Sequence, residues 1–243
     1  MSRRLCALTG LSIIEGPVTM YRVSMAKHGR GPLNPMERPA NPVVDRRDWN
    51  RFDTPGLTIY GADQRATAFT ESLAYKAPSA RGYAALAEEA RFLGIGLDEL
   101  LADLRSAGMP VDGMEPDWRL DREIYRLDFP ARPWVDLTHP DTVVAIKASG
   151  IAAADRMSLA DLTGDDRALT TAVAQWIRAQ RLDGGTQPAG LRYPSKFGFS
   201  EGDYCYAGFI AKPNSGCGCT GSEFSVTDPD LAEAVKRTGV HVS

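Results

Sequence analysis

The chain has 243 residues, 43% of them hydrophobic and 24% charged, with a net charge of −3 and a pI near 5.7. That length supports one good core, and the acidic balance argues against a nucleic-acid binder working through a broad basic surface. No run of about 18 apolar residues suggests a transmembrane helix, so a cytoplasmic protein is expected.

Residues 1–19 read as a leader of uncertain structure. Ser2-Arg3-Arg4 before Leu5 to Ile14 has a faint signal-peptide look, but Thr9, Gly10 and Ser12 interrupt it and no small-x-small cleavage site follows. A start of translation at Met20 is the alternative. Tyr21-Arg22-Val23-Ser24 is a short strand candidate, and the Gly, Pro, Asn and Arg of 28–48 read as loop. Leu57 to Tyr60 is apolar and β-prone after the Pro55-Gly56 turn. Asp63 can cap a helix running to about Lys76, whose core face is Ala66, Phe69, Thr70 and Leu73. Glu71 lies nearly opposite that face. Its helical neighbours are Thr67, Ala68, Ala74 and Tyr75, so a cleft floor and an open surface are both compatible with it.

A helical pair is expected over 82–108, with Ala85, Leu86, Ala90, Phe92 and Leu93 before Gly94, and Leu97, Leu100, Leu101 and Leu104 after it. A Pro/Gly-containing loop follows at 109–119. Glu123 to Phe129 alternates as a half-buried strand, and Trp134 to Leu137 is a second strand. A helix is expected at 141–149. Residues 166–181 make an amphipathic helix through Leu169, Val173, Trp176 and Ile177, ended by Asp183-Gly184-Gly185. Gly190 to Tyr193 and Tyr204 to Ile210 are strands, and Leu231 to Thr238 is a short last helix. Helices and strands mix without βαβ alternation, so the expected class is α+β in one domain.

Dinucleotide-binding, Walker, H-E-x-x-H and G-x-S-x-G motifs are absent. Only His28, His139 and His241 occur, and His139 sits in a turn-like Thr-His-Pro-Asp. A histidine-based triad or metal centre is therefore not expected. Cys205, Cys217 and Cys219 have no common zinc spacing and no obvious fourth ligand beyond His241. They are read as reduced thiols, with no metal site.

The chemistry concentrates in 50–71, where an arginine, a tyrosine and a glutamate share one turn–strand–helix unit. Arginine suits phosphate, tyrosine suits a flat ring, and a carboxylate can steady positive charge at an anomeric carbon. Asn50-Arg51-Phe52-Asp53, Gly56, Tyr60 and Ala68-Phe69-Thr70-Glu71 occur in order, followed much later by Gly190-Leu191-Arg192-Tyr193-Pro194-Ser195. This succession resembles the RES-domain family of bacterial toxins, named for an arginine, a glutamate and a serine, and Tyr21-Arg22-Val23 resembles its opening strand. The resemblance spans about 20–211. Asn50 replaces the family's usual glycine, the helices at 82–119 enlarge the domain, and 212–243 is a C-terminal extension outside the match.

The resemblance implies a mixed sheet with flanking helices, similar to ADP-ribosyltransferases, and NAD as substrate rather than cofactor. It implies that Arg51 binds pyrophosphate, with Arg22 as a second contact. Tyr60 would stack near the nicotinamide riboside and Tyr193 would line the cleft. Glu71 would stabilise the oxocarbenium-like transition state, and Ser195 would hydrogen-bond the ligand or orient a neighbour. The residue-level alternatives are a surface ion pair of Arg51 with Asp45, Asp48 or Asp53, strand packing for Tyr60 and a turn role for Ser195. An NAD-degrading toxin neutralised by a helix-turn-helix antitoxin is the first expectation. An ADP-ribosyltransferase acting on a macromolecule and a non-catalytic nucleotide- or partner-binding module are the alternatives.

Overall fold

The computed structural model describes residues 2–26, 36–40, 45–74, 80–107, 118–198, 202–211, 217–240 and 242. Its eight strands are β1 (Ser2–Leu5), β2 (Ser12–Met25), β3 (Met36–Arg38), β4 (Gly56–Ala62), β5 (Arg122–Asp136), β6 (Gly190–Pro194), β7 (Tyr204–Ile210) and β8 (Gly218–Ser222). They pair in the order β1-β2-β4-β7-β6-β5-β8, with β3 beside β4. A further β2–β5 pairing closes the circuit of β2, β4, β7, β6 and β5. β5 and β6 run parallel and the other pairs antiparallel, so the sheet is mixed. With seven α-helices among the described residues, the class is α+β.

The helices are α1 (Arg65–Ala74), α2 (Ala80–Leu93), α3 (Leu97–Ser106), α4 (Pro140–Lys147), α5 (Leu159–Thr163), α6 (Arg167–Ala179) and α7 (Pro229–Thr238). The amphipathic pattern of α6 is realised: Leu169, Val173, Ala174 and Ile177 join the core beneath Val135, Leu191 and Ala207. α1 turns Phe69 and Leu73 into a second cluster with Phe224, Leu231 and Ala234 from the C-terminal region, and Phe69 meets Phe224 edge-on at 4.8 Å. His139 is structural, since its Nδ1 accepts the Asp141 N–H at the start of α4.

Both ends of the chain depart from expectation. Residues 2–19 are not a loose leader. They form β1 and half of β2, and Leu11, Ile13, Ile14 and Val18 are buried. A chain starting at Met20 would uncover Val135 and Trp134, the partners of Ile13 and Ile14. Thr9, Gly10 and Ser12 disguised this strand in the sequence, and Gly16 and Pro17 interrupt it. They sit at a bulge, where the register shifts between Gly16 and Val18. The same bulge faces Pro130–Pro133, so the two strands expected at 123–129 and 134–137 are one bent β5. At the other end, β8 pairs with β5 and α7 packs into the second cluster, so residues 217–240 of the extension expected at 212–243 contribute to the same sheet and core.

Asp63 does not cap α1. Its carboxylate accepts the Tyr204 N–H at 3.1 Å and its own N–H reaches the Tyr204 carbonyl at 3.0 Å, tying β4 to β7. Burial pushes this carboxyl from 3.8 up to about 6, with nearby Asp203 adding to the rise and the Tyr204 N–H and Arg192 opposing it. An acid whose folded pKa is raised loses folding stability as pH climbs from the unfolded to the folded value. Asp63→Asn keeps an oxygen for Tyr204 and removes the charge. It is expected to melt higher than the parent at neutral pH, with the gain vanishing below roughly pH 4. Parallel melting curves from acid to neutral pH check this.

The helical pair at 82–108 forms as expected, although Phe92 on its apolar pattern is 90% exposed. The segment expected as loop at 28–48 contains β3, which pairs with β4. Residues 28–35 and 41–44 of that segment, 109–117 of the second expected loop, the end expected for α1 at Lys76, and His28 and His241 lie outside the described residues.

Candidate active site

The loop before β4 is organised by one buried carboxylate. Asp53 is fully buried. It accepts Arg38 Nε at 2.7 Å, the Tyr60 hydroxyl at 2.8 Å and the Asn50 N–H at 2.9 Å. The Tyr60 hydroxyl in turn accepts the Phe52 N–H at 3.1 Å. Burial, reinforced by the Asp53 charge, holds the Tyr60 phenol well above its ordinary pKa, so it stays a neutral donor. Its ring lines the cleft, but its hydroxyl is engaged in holding the loop.

That loop delivers Arg51. The side chain is buried, with its guanidinium 5.0 Å from the Tyr193 ring centroid and Nη1 donating to the Thr163 carbonyl at 2.9 Å. Tyr193 is itself fixed against Phe52, with centroids 4.5 Å apart. The surface ion-pair alternative for Arg51 does not form: Asp45 pairs with Arg47 and Asp53 with Arg38.

Glu71, half-buried on α1, meets Ser195 across 124 positions of sequence. Ser195 Oγ donates to Glu71 Oε1 at 2.5 Å, and the Cys205 thiol lies 3.6 Å from the same oxygen. Ser195 thus orients a neighbour, Glu71. Ser195 is anchored just beyond β6, its N–H donating to the Asp203 carbonyl at 2.8 Å and its Oγ accepting the Phe197 N–H at 3.2 Å. Asp203 is held by Thr67 Oγ1 at 2.7 Å and by Arg237 of α7. Burial first, then the Glu71 charge, pushes the Cys205 thiol well above its ordinary pKa, so it too remains a protonated donor. Both protein donors act on Oε1, and among the described residues none holds Oε2.

Arg51, Tyr60, Glu71, Arg22, Tyr193 and Cys205 line one cleft of about 290 Å³, at the small end of ligand-pocket volumes. Arg22, on β2, donates Nη1 to the Tyr60 carbonyl at 3.1 Å, while its buried Nε has no partner among the described residues. Burial lowers its pKa, opposed by Tyr60. A close backbone approach shapes this wall: a Cβ on Gly61 would lie 2.8 Å from Met20 Sδ. No described residue of α2 or α3 lines the cleft.

Cys205 and Arg167 are among the lining residues that sequence reasoning did not name for the site. Cys205 was weighed as a metal ligand and read as a reduced thiol, not as part of the site, and it is brought to Glu71 by the β4–β7 register that pairs it with Ala62. Arg167 opens α6 and lines the cleft. A signal existed, since a cation in the first turn opposes the helix dipole. Among the described residues no group of three or more His, Cys, Asp or Glu could hold a metal ion, and none of the helices is long and apolar enough to cross a membrane.

No protein-family model matches the chain, and no curated protein does. Among solved structures, the chain is similar to one in the crystal structure of the M. tuberculosis MbcT-MbcA toxin-antitoxin complex. That similarity covers 81% of this chain and 75% of the other, with 17% identity and a TM-score of 0.41.

Proposed function

We propose that this chain is an enzyme that breaks the nicotinamide–ribose bond of NAD, by hydrolysis or phosphorolysis, and that it acts as a toxin neutralised by an antitoxin protein. The observation that carries the chemistry is that Glu71, held at 2.5 Å by Ser195 from outside the cleft lining, shares one cleft with Arg51. The toxin role and the helix-turn-helix antitoxin follow from the family resemblance of the sequence.

Arg51 binds the pyrophosphate, and Arg22 adds a second cation. Tyr193 and Tyr60 offer ring surface to the nicotinamide riboside. Glu71, fixed through Oε1, presents its charge to the ribose. As the C1′–N bond breaks, its electron pair moves to the pyridinium nitrogen and nicotinamide leaves neutral. Positive charge then builds on C1′ and the ring oxygen, opposite the carboxylate. Water adds with loss of a proton, or phosphate adds directly. No strong general acid is required, which fits a cleft with no histidine among its described lining residues.

The test is incubation of the purified chain with NAD, with and without inorganic phosphate, following nicotinamide and the ribosyl product. Nicotinamide release supports the reading, and the product distinguishes ADP-ribose from its 1-phosphate. Folded protein that releases none in either buffer overturns it. Label transferred from NAD to a protein or nucleic acid would instead identify a macromolecular ADP-ribosyltransferase.

Ser195→Ala leaves Cys205 as the donor to Glu71. Loss of one hydrogen bond to a charged acceptor is worth roughly 1.5 kcal/mol, so kcat is expected to fall about tenfold with KM little changed. Steady-state kinetics check this, and an unchanged kcat would remove Ser195 from the positioning of Glu71.

A further inference from the structure

We propose that Arg167 is a specificity-determining residue that makes the cleft select a diphosphate over a monophosphate. Its biological ligand rests on the NAD reading, but the phosphate recognition is measurable without turnover.

Arg167 is under-partnered for a cation in this position. Its Nη1 is buried and meets no acceptor among the described residues. Its Nη2 reaches Asp165 Oδ1 at 3.5 Å, too long for a strong charge-assisted bond. Asp165 is 68% exposed and gives its other oxygen to Lys196 at 2.6 Å. Arg167 also begins a 13-residue helix, where the dipole disfavours positive charge. Neither the helix nor a tight ion pair accounts for the guanidinium at the cleft wall, whereas a phosphate oxygen would complete it.

The geometry around Arg51 indicates what Arg167 adds. Arg51 reaches the Thr163 carbonyl, four residues before Arg167, so the segment between α5 and α6 brings both guanidinium groups to the same cleft. One arginine fork matches one phosphate. These two forks, beside Arg22 whose Nη1 already donates to the Tyr60 carbonyl, and with Glu71 as a carboxylate in the same cleft, suit an anion with two phosphoryl groups and a sugar. A monophosphate occupies the Arg51 fork and leaves Arg167 as it is.

The measurement is calorimetric titration of the full chain with inorganic pyrophosphate and, separately, inorganic phosphate, using the parent, Arg167→Gln, Arg167→Lys and Asp165→Asn. The parent is expected to bind pyrophosphate the more tightly. Arg167→Gln is expected to weaken pyrophosphate about tenfold, as for one charge-assisted bond, with phosphate changed less than about twofold. Arg167→Lys should recover part of the loss. Asp165→Asn removes the competing carboxylate and should bind pyrophosphate more tightly, which tests the proposal even if Arg167→Gln does not fold. Equal pyrophosphate affinity in the parent and folded Arg167→Gln, equal losses for both anions, or weaker binding by Asp165→Asn overturns it. Arg167-dependent pyrophosphate binding without nicotinamide release would sink the NAD reading and leave Arg167 standing. Release with Arg167-independent binding would do the reverse.

Discussion

Glu71→Gln is expected to slow nicotinamide release from NAD by about 10²–10³-fold while leaving the fold intact. The magnitude is that of removing one preorganised electrostatic contact from a charge-developing transition state. The substitution is chosen for its shape. A glutamine oxygen can still accept the Ser195 hydroxyl that now lies 2.5 Å from Oε1, so the side chain stays in place and only its charge is lost. The effect should therefore fall on kcat, with affinity for ADP-ribose changed much less. Single-turnover kinetics and a melting curve of the same preparation check this. Glu71→Gln with parental turnover would show that the carboxylate charge does not act at the reacting carbon. Another group would then have to face it.

The parts of this site that could be read from the sequence are those built locally. Arg51, Tyr60 and Glu71 lie within one turn–strand–helix unit, and residue type and periodicity place them on its loop, strand and helix. The face of Glu71 was open on pattern alone, because its surroundings are set by Ser195 and Cys205, more than 120 positions away. Ser195 was reached only through the family resemblance. Cys205 carried no local signal, since its contact with Glu71 depends on which β7 residue pairs with Ala62. Asp53 was read as part of the Asn50–Asp53 motif and as an ion-pair partner for Arg51, not as an organiser of the loop. Its actual role requires Arg38 and Tyr60 to converge on it from two strands. The N-terminal strand was hidden for another reason. Thr9 and Gly10 precede a sheet-buried run that Gly16 and Pro17 interrupt, and a bulge opposite Pro130–Pro133 of β5 absorbs that interruption.

Asp53→Ala is the second large effect, and it falls on stability and ligand affinity together. The substitution leaves the Arg38 guanidinium, only 16% exposed, without its carboxylate. It also leaves the Tyr60 hydroxyl and the Asn50 N–H without their acceptor. Removing one partner of a buried pair typically costs about 3–5 kcal/mol. For a chain of this size each kcal/mol lowers the melting temperature by roughly 2–4 °C, so a fall on the order of 10 °C is expected. The same carboxylate holds the backbone on both sides of Arg51: Asn50 directly, and Phe52 through the Tyr60 hydroxyl. Where the variant still folds, Arg51 loses its fixed approach to the cleft and KM for NAD should rise. Asp53→Asn separates the two roles of the carboxylate. Its oxygen still accepts from Tyr60, so the Phe52 side of the loop is retained, but its NH2 stands where Oδ2 accepted Arg38 and the Asn50 N–H. It is expected to melt between the parent and Asp53→Ala and to raise KM less than Asp53→Ala does. If Asp53→Asn raises KM as much as Asp53→Ala, then the contacts at Oδ2, rather than the hold through Tyr60, are what the cleft requires.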